Sequence, residues 1–335
     1  MSRKPKILVV GSFVMDQIGV TDIFPREGQT VLGKTFHKAP GGKGANQAVQ
    51  AARLGASVTM VGKLGRDGNG EEMLSVCKKA GMDVSYILYD DETPSGCALL
   101  ILHEKEDGST QNRIIVIPGT NLKITLDDIA FLKTEIRNYD IVMLQHEIPM
   151  EVNVQVAKYA HEAGVPVMLN PAPSAPIPDE LCKCLSFISP NETEIEDITG
   201  IHIPHIGKDI DYNEARRAAD VLRNKGIKNV LITLGSAGAL LINESGEFYS
   251  PCVQNITAVD PTAAGDSFMG AFCTGFCCNW KWEDILFFAN HTAAITVSRM
   301  GAMPSLPTLD EVEAGISSHK GEIPNTGMLK EGSVC

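Results

Sequence analysis

A small-residue turn followed by a carboxylate is the part of this sequence that most directly predicts chemistry. Residues 258–272 read AVDPTAAGDSFMGAF, a pattern typical of a strand end, a turn and a helix that begins just before Asp266. Ala263, Ala264 and Gly265 have little or no side chain, so another molecule can approach their backbone closely. Amides at a helix N-terminus attract anions, and a carboxylate beside them can accept a proton from a hydroxyl. The turn therefore predicts phosphoryl transfer, although a plain helix start with a favourably placed acid would look the same.

A second glycine-rich turn strengthens the prediction of a ligand site. Residues 41–46 read GGKGAN and precede QAVQAARLGA, which has a helical pattern. Lys43 and Asn46 carry polar groups that can reach a ligand held at this turn. One such turn is weak evidence, because many glycine-rich turns only cap helices. Two of them in one chain, one with a carboxylate, favour a binding site over two unrelated caps.

Length, charge and cysteine content limit the classes of protein to which the chain can belong. Its 335 residues suit one large α/β domain or two smaller ones, and its net charge is −12. Because there is no basic block, nucleic acid and anionic membranes are poor candidates as partners. The apolar run before Gly11 is too short for a signal peptide, and no run is long enough to span a bilayer. Nine cysteines without zinc-like spacing indicate reduced thiols, so we expect a cytoplasmic protein.

Short apolar runs alternate with helical patterns over most of the chain. The predicted strands cover residues 7–11, 141–145, 165–170, 185–191 and 230–235, and the predicted helices cover 45–54, 70–80, 126–137, 152–163, 212–225, 267–278 and 283–298. Strands that alternate with helices favour an α/β fold with a doubly wound, mostly parallel sheet flanked by helices. Ligands bind such sheets outside the carboxyl ends of the strands, so we expect the site at that edge.

Two segments break this rhythm. Residues 16–40 and 95–118 alternate in the manner of surface strands, and the second has a turn signal near EDGS. We expect them to form a small antiparallel sheet, here called the lid, inserted in one domain over residues 1–320. A sheet of this size is not stable alone, so we expect the lid to cover the cleft. Because its edge strands are exposed, we also expect a homodimer. Residues 321–335 are polar and are predicted to form a disordered tail.

From about Ile7 to Pro307, the sequence resembles the ribokinase-like (PfkB) family of sugar kinases. The motifs that carry the resemblance are GSxxxD at 11–16, GGKGANQAVQAARLGA at 41–56, NPAP at 170–173, PNETE at 190–194, ITLGSAG at 232–238 and AAGDSF at 263–268. Each is weak alone, but six in family order and spacing are specific. The resemblance implies the ribokinase-like fold and an enzyme that uses ATP and Mg²⁺.

The resemblance also implies roles for residues at the sugar end of the site. Asp266 matches the catalytic base, and the amides of Ala263, Ala264 and Gly265 match the anion hole that steadies the transferring phosphoryl group. The positions that match sugar-binding residues are Asp16, Gly42, Lys43, Asn46, Glu147 and Asp266 itself. Fixed, short polar side chains of this kind suit the hydroxyls of a sugar.

Further positions match the nucleotide and metal sites of the family. The implied ATP-binding residues are Asn191, Thr233, Gly235, Ser236, Gly238 and Asn290, the last beside adenine. Glu194 matches a Mg²⁺ position that acts through water, although Asn191 and Glu194 could equally form a helix capping box. The implied site for an activating K⁺ comprises Asp260, Thr262, Gly301 and Ser305.

Val14 and Pro261 are among the residues that depart from the family pattern. Val14 replaces a common asparagine, and valine cannot bond a hydroxyl, so the sugar preference could shift toward 2-deoxyribose. The alternative, which we favour, is that Val14 only packs. Pro261 replaces a threonine and removes an amide donor next to the K⁺ positions.

The resemblance implies an ATP-dependent kinase that phosphorylates the O5 hydroxyl of D-ribose to give ribose 5-phosphate. A 2-deoxyribose kinase is the main alternative, followed by another sugar or nucleoside kinase of the family. Nucleoside kinases need stacking groups, and the aromatic content of 6% argues against them. A non-catalytic sugar sensor is more distant, because binding alone needs no base aligned with an anion hole.

Overall fold

Alternating apolar strands and helices form the elements on which the site is built. The computed structural model describes residues 3–104, 110–206, 209–319 and 321–330. The strands are β1 (Lys6–Val10), β2 (Val14–Thr21), β3 (Thr35–Gly41), β4 (Ser57–Gly65), β5 (Ile87–Asp90), β6 (Cys97–Glu104), β7 (Thr110–Ile117), β8 (Ile141–Gln145), β9 (Val167–Asn170), β10 (Phe187–Ile188), β11 (His205–Ile206), β12 (Asp209–Ile210), β13 (Asn229–Thr233), β14 (Ala239–Asn243) and β15 (Gly246–Ser250). The helices are α1 (Lys43–Arg53), α2 (Gly68–Lys79), α3 (Leu132–Glu135), α4 (Met150–Ala163), α5 (Asp179–Cys182), α6 (Glu192–Thr199), α7 (Tyr212–Asn224), α8 (Ala264–Cys277), α9 (Trp282–Val297) and α10 (Leu309–Ser318).

The main sheet is doubly wound and mostly parallel, as the sequence predicts. Within the described residues it has nine strands in the order β15-β14-β13-β10-β9-β8-β1-β4-β5. All neighbouring pairs from β13 to β5 are parallel, and β14 and β15 add an antiparallel hairpin at one edge. The order reverses at β1, which is where such sheets open a crevice for ligands.

Both faces of this sheet are covered by helices because the strands are apolar on both sides. Successive β1 residues alternate between two cores: Ile7 belongs to the core with α1, α8 and α9, and Leu8 belongs to the core with α4 and α7. Gly270 allows α1 and α8 to approach closely, since a Cβ there would lie 2.9 Å from the carbonyl oxygen of Gln47. This contact brings the two glycine-rich turns of the sequence together.

The helix predicted over residues 126–137 is broken into short turns. It consists of a 3₁₀ turn at Asp127–Ile129, the four-residue α3 and a second 3₁₀ turn at Ile136–Asn138. Asp128 binds the Thr125 amide and the Lys63 ammonium, which ties the first turn to a neighbouring segment. The apolar residues Ile129, Leu132 and Ile136 are buried, but the predicted continuous helix was wrong.

The lid is a four-stranded sheet in the order β3-β2-β6-β7. Its outer pairs, β2–β3 and β6–β7, are antiparallel, whereas the central pair β2–β6 is parallel. The predicted turn at EDGS, residues 106–109, lies outside the described residues. Strand β2 follows β1 after only three residues, so the base of the lid lies at the carboxyl edge of the main sheet.

Residues 321–330 differ from the predicted disordered tail, because they pack on the domain. Leu329 is buried in the core with α1, and its carbonyl lies against Gly55. The Trp280 indole donates to the Asn325 carbonyl at 2.9 Å, and the Thr326 hydroxyl donates to Glu313. The rest of the predicted tail, residues 331–335, lies outside the described residues.

No helix in the part of the chain that the structure describes is long and apolar enough to cross a membrane. The cysteines of that part are free thiols, and several, such as Cys77 and Cys273, are buried among apolar side chains.

Candidate active site

The turn that begins α1 is built around a glycine that no other residue could replace without strain. Gly42 has φ 93°, and a Cβ there would lie 2.6 Å from the Val14 nitrogen. The Lys43 amide donates to a carboxylate oxygen of Glu147 at 2.9 Å, and the Ser12 hydroxyl donates to the same oxygen at 2.5 Å. The ends of β1 and β8 and the start of α1 are thereby tied together.

Asp266 lies in the first turn of α8 and is almost fully buried. The side-chain amide of Asn46 donates to its Oδ2 at 2.9 Å, and that of Gln47 donates to its Oδ1 at 2.9 Å. Both carboxylate oxygens are therefore held by consecutive residues of α1. The structure thus joins the two small-residue motifs of the sequence at Asp266.

The helix start next to Asp266 can hold an anion. Ala263 adopts φ 61° at the N-cap, and the first amides of a helix have no partner within it. A Cβ added to Gly265 would meet no atom of the described residues within 4 Å, so open space faces this residue. The Ala264 amide differs from the expected anion hole, because it donates to the Pro261 carbonyl at 3.2 Å.

The charged groups of the sugar end lie close enough to change one another's ionisation. Burial, helped by the neighbouring carboxylates of Glu147 and Asp260, raises the pKa of Asp16 to about 6. Burial also raises the pKa of Glu147, against the opposing effect of Lys43. Burial alone would lower the pKa of Lys43, but the carboxylates of Asp266, Glu147 and Glu194 outweigh it and raise that pKa. Lys43 is thus firmly cationic among acids.

The predicted nucleotide loop follows β13 and is shaped mainly by backbone. Gly235 and Ser236 are exposed, and Gly235 has φ 50°. Gly238 has φ 101°, and a Cβ there would lie 2.2 Å from the Ser250 carbonyl oxygen. Thr233 forms a bridge with Asn191, which places PNETE beside this loop.

Asn191 and Glu194 form the capping box that was the alternative for this motif. The Glu194 amide donates to Asn191 Oδ1 at 2.8 Å, and the Asn191 amide donates to Glu194 Oε2 at 2.9 Å. Burial raises the pKa of Glu194, while its bond to Asn191 and the charge of Lys43 act in the opposite direction. The field of Lys43 reaches Glu194, so a capping role and a role in the site are compatible.

The comparisons with known proteins decide the family. The chain matches the model described as pfkB family carbohydrate kinase over residues 4–309. This chain belongs to the pfkB family. It is 37% identical over 311 residues to the ribokinase of Bacillus subtilis (strain 168), a match that covers 93% of this chain and 99% of the relative. A deoxyribokinase of Salmonella typhi is 32% identical over 313 residues, covering 93% of this chain and 98% of the relative.

A solved structure supports the same assignment. The structure of Arabidopsis thaliana ribokinase complexed with ribose and ATP aligns with a TM-score of 0.82 and 33% identity, covering 94% of this chain and 99% of that chain. The predicted family is therefore confirmed, as is the α/β fold with its lid sheet.

Asn290 of this pfkB kinase does not present a free amide where adenine was expected. It is buried in α9, and its side-chain nitrogen donates to the Ser250 carbonyl and hydroxyl, both at 3.0 Å, and to the Pro251 carbonyl. These bonds hold the end of β15 against α9.

The positions assigned to K⁺ connect two turns of the kinase. The Asp260 carboxylate accepts the Thr262 amide at 2.9 Å and the Gly301 amide at 2.8 Å. Ser305 is buried and donates to the Ala302 carbonyl. The structure brings Asp260, Thr262 and Gly301 together, while Ser305 lies in the neighbouring 3₁₀ turn.

Three amide side chains near Asp266 were given no role from the sequence, although Asn170 begins the NPAP motif. Gln47 and Gln145 are buried, Asn170 is half-buried, and the three are joined by hydrogen bonds. Gln145 and Asn170 end strands β8 and β9, and Gln47 directly follows GGKGAN. A polar amide at the end of an apolar strand was the available signal, since buried amides need partners. Sequence alone does not show which partner each would find.

Proposed function

We propose that this protein transfers the γ-phosphate of ATP to the O5 hydroxyl of D-ribose, giving ribose 5-phosphate and ADP. The observation that carries the proposal is the Asp266 carboxylate, held by two amides beside a helix start with open space at Gly265. The ribokinase relatives support ribose as the acceptor sugar, and the ATP-bound neighbour supports ATP as the donor.

Asp266 is assigned the role of general base. A carboxylate at hydrogen-bond distance accepts the proton as the O5 hydroxyl attacks phosphorus, and the amides at the start of α8, with Lys43, stabilise negative charge on the transferring group. Because a Cβ added to Gly265 would enter open space, a phosphoryl group can approach this residue closely, and we assign its amide to this task. Ala264 must first release its bond to Pro261 to contribute.

The sugar is assigned to Asp16, Gly42, Lys43, Asn46 and Glu147. Asn46 Oδ1 is buried and has no hydrogen-bond partner among the described residues, so it is ready to accept from a hydroxyl. Asp16 and Glu147 add carboxylate acceptors that suit neighbouring hydroxyls. These groups come from the lid, α1 and β8, so they surround the sugar from several elements.

The nucleotide is assigned to Asn191, Thr233, Gly235, Ser236 and Gly238, with Asn290 shaping the wall. Glu194 would hold Mg²⁺ through water. A single carboxylate fits an ion that binds mainly to water and phosphates, and Mg²⁺ there would neutralise charge on the phosphates. Asp260, Thr262, Gly301 and Ser305 would surround K⁺, which would act by fixing the turn that leads into α8.

The lid is assigned to a homodimer contact. Its edge strand β7 exposes Ile114, Ile115, Val116 and Ile117 to solvent by between 40% and 61%. An exposed apolar edge of this length favours pairing with a second copy. Light scattering of the purified protein tests this assignment, and Ile115→Lys with Val116→Lys should yield monomers if it is correct.

The test of the function is kcat/KM for ATP-dependent phosphorylation of ribose and 2-deoxyribose side by side, with and without K⁺. Phosphorus NMR of the product identifies the hydroxyl that received the phosphate. We expect ribose to be preferred and O5 to be the acceptor. Absence of turnover with either sugar, at saturating ATP and Mg²⁺, would refute the proposed substrate class.

A further inference from the structure

We propose that Gln47, held from behind by Gln145, is a positioning residue for Asp266. The inference rests on the proposed function, because it concerns the orientation of that reaction's base. Gln47 is fully buried, and its Nε2 donates to Asp266 Oδ1 at 2.9 Å. Asp266 is buried as well, so this bond lies inside the protein.

The orientation of the Gln47 amide is fixed by its neighbours. Its Oε1 accepts from Gln145 Nε2 at 2.8 Å, and its Nε2 also donates to Asn170 Oδ1 at 3.3 Å. A flipped amide would place its oxygen against two acceptors, Asp266 and Asn170, and its nitrogen against the Gln145 donor. All three bonds therefore favour one orientation of Gln47.

Gln145 and Asn170 are both positioned by the main sheet. They are opposite each other at the ends of β8 and β9, and Asn170 Nδ2 donates to the Ser189 carbonyl at 3.0 Å. Gln145 fits only because position 11 is glycine, since a Cβ on Gly11 would lie 2.2 Å from Gln145 Oε1. The side chains of Gln145 and Asn170 at the strand ends thus orient Gln47, and Gln47 in turn orients the Asp266 carboxylate.

Asn46 and Gln47 differ in what else they can do. Asn46 is assigned to the sugar as well as to Asp266, and its Oδ1 has no partner among the described residues. The Gln47 amide already has partners on both its nitrogen and its oxygen within the protein. When Asn46 engages the sugar, Gln47 keeps the carboxylate aligned with the hydroxyl.

The test is a double-mutant cycle on Gln47 and Gln145 in the full-length protein. Gln47→Met keeps the length of the side chain but removes all three of its hydrogen bonds. It should lower kcat for ribose about 10- to 100-fold, with the ribose dissociation constant changed less than about threefold. Gln145→Met should lower kcat less, and it should have no further effect when Gln47 is already Met, because Gln145 acts through Gln47.

Gln50→Met is the matched control. Gln50 lies on the same face of α1, is equally buried, and donates to the Pro307 carbonyl at 2.9 Å without contacting Asp266. The Gln50→Met variant should have a lower melting temperature and an unchanged kcat. An unchanged kcat in Gln47→Met, or additive effects of Gln47→Met and Gln145→Met, would overturn the inference. Lack of turnover by the unmutated protein would instead overturn the proposed function.

If Gln47→Met does not fold, Gln145→Met alone keeps the inference testable. A fall in kcat at constant ribose affinity supports it. A variant that folds and keeps kcat overturns it.

Discussion

The proposed sugar end and the proposed nucleotide end of the cleft are built in different ways. At the sugar end, Asn46, Gln47 and Asp266 are buried side chains that bind one another before any ligand arrives. At the nucleotide end, Gly235 and Ser236 are exposed, and the loop is shaped by glycine backbone. One end is fixed by side-chain chemistry, and the other by main-chain shape.

This difference matches the demands of the two ligands in the proposed reaction. The base must meet one hydroxyl in one geometry, so an interlocked site avoids reorganisation during the reaction. The nucleotide is held largely by its phosphates, which backbone amides and a metal ion can bind without many specific side chains. Substitutions at the sugar end should therefore affect kcat, whereas those at the nucleotide end should affect the affinity for ATP.

Asp266→Asn should have the largest effect, because it removes the base and keeps the shape. We expect kcat to fall by about 10²–10⁴-fold while ribose binding is largely retained. Single-turnover kinetics and calorimetric ribose titration measure the two quantities. Asp310→Asn is the control, since Asp310 is likewise an acid in the first turn of a helix, α10, but lies outside the site. Retained turnover in Asp266→Asn would show that Asp266 is not the base.

The same contrast explains what the sequence could predict. Asp266, Asn46 and Lys43 are polar side chains in small-residue turns, so their motifs were visible before the fold. The role of Asn290 was not, because its amide binds Ser250 and Pro251, which are 40 and 39 residues away in sequence. The parallel pairing of β2 with β6 also escaped prediction, because local alternation does not determine which strands become neighbours.

Gly265→Ala probes the boundary between the two ends. The added methyl group enters the open space that we assign to the phosphoryl group, so kcat/KM for ATP should fall roughly 10- to 100-fold. Alanine favours helix over glycine by up to about 1 kcal/mol, so the fold should not be weakened. Gly68→Ala is the matched control, because Gly68 also begins a helix, is exposed and has no atom of the described residues within 4 Å of an added Cβ.

The two Gly→Ala variants are compared by ATP titration and by thermal unfolding. We expect both to unfold at or above the temperature of the unmodified protein, with only Gly265→Ala losing activity. Equal ATP kinetics in the two variants would show that the space at Gly265 is not the phosphoryl cradle.

The pKa of Asp16 predicts a pH effect on sugar binding. With the pKa raised to about 6 by burial, Glu147 and Asp260, Asp16 becomes protonated as the pH falls from 7 to 5. The ribose dissociation constant, measured without nucleotide, should then rise by about tenfold. Asp16→Asn should bind ribose weakly with a flatter pH profile. An identical pH profile in the variant would show that another group controls affinity.

The effect of Asp16 on stability should have the opposite sign. A carboxyl whose pKa is higher in the folded state than its ordinary value of 3.8 stabilises the fold when protonated, and loses that contribution as the pH rises through 6. Asp16→Asn should therefore raise the free energy of unfolding at pH 7 by roughly 1–3 kcal/mol. Urea unfolding at pH 7 and pH 4.5 measures this, and the gain should shrink at the lower pH.

Val14 should have the smallest effect on catalysis, although it is the clearest departure from the family pattern. Val14 is 6% exposed and pairs with Gly41 across the base of the lid, so we expect it to pack rather than to select the sugar. Val14→Thr, which is close in shape, should change the ratio of kcat/KM for ribose to that for 2-deoxyribose by less than about threefold. Because it buries a hydroxyl, it should lower the free energy of unfolding by about 1–3 kcal/mol. A shift of that ratio by orders of magnitude would instead show that position 14 determines sugar specificity. Since Val14 belongs to β2 of the lid, the lid as well as α1 would then select the sugar.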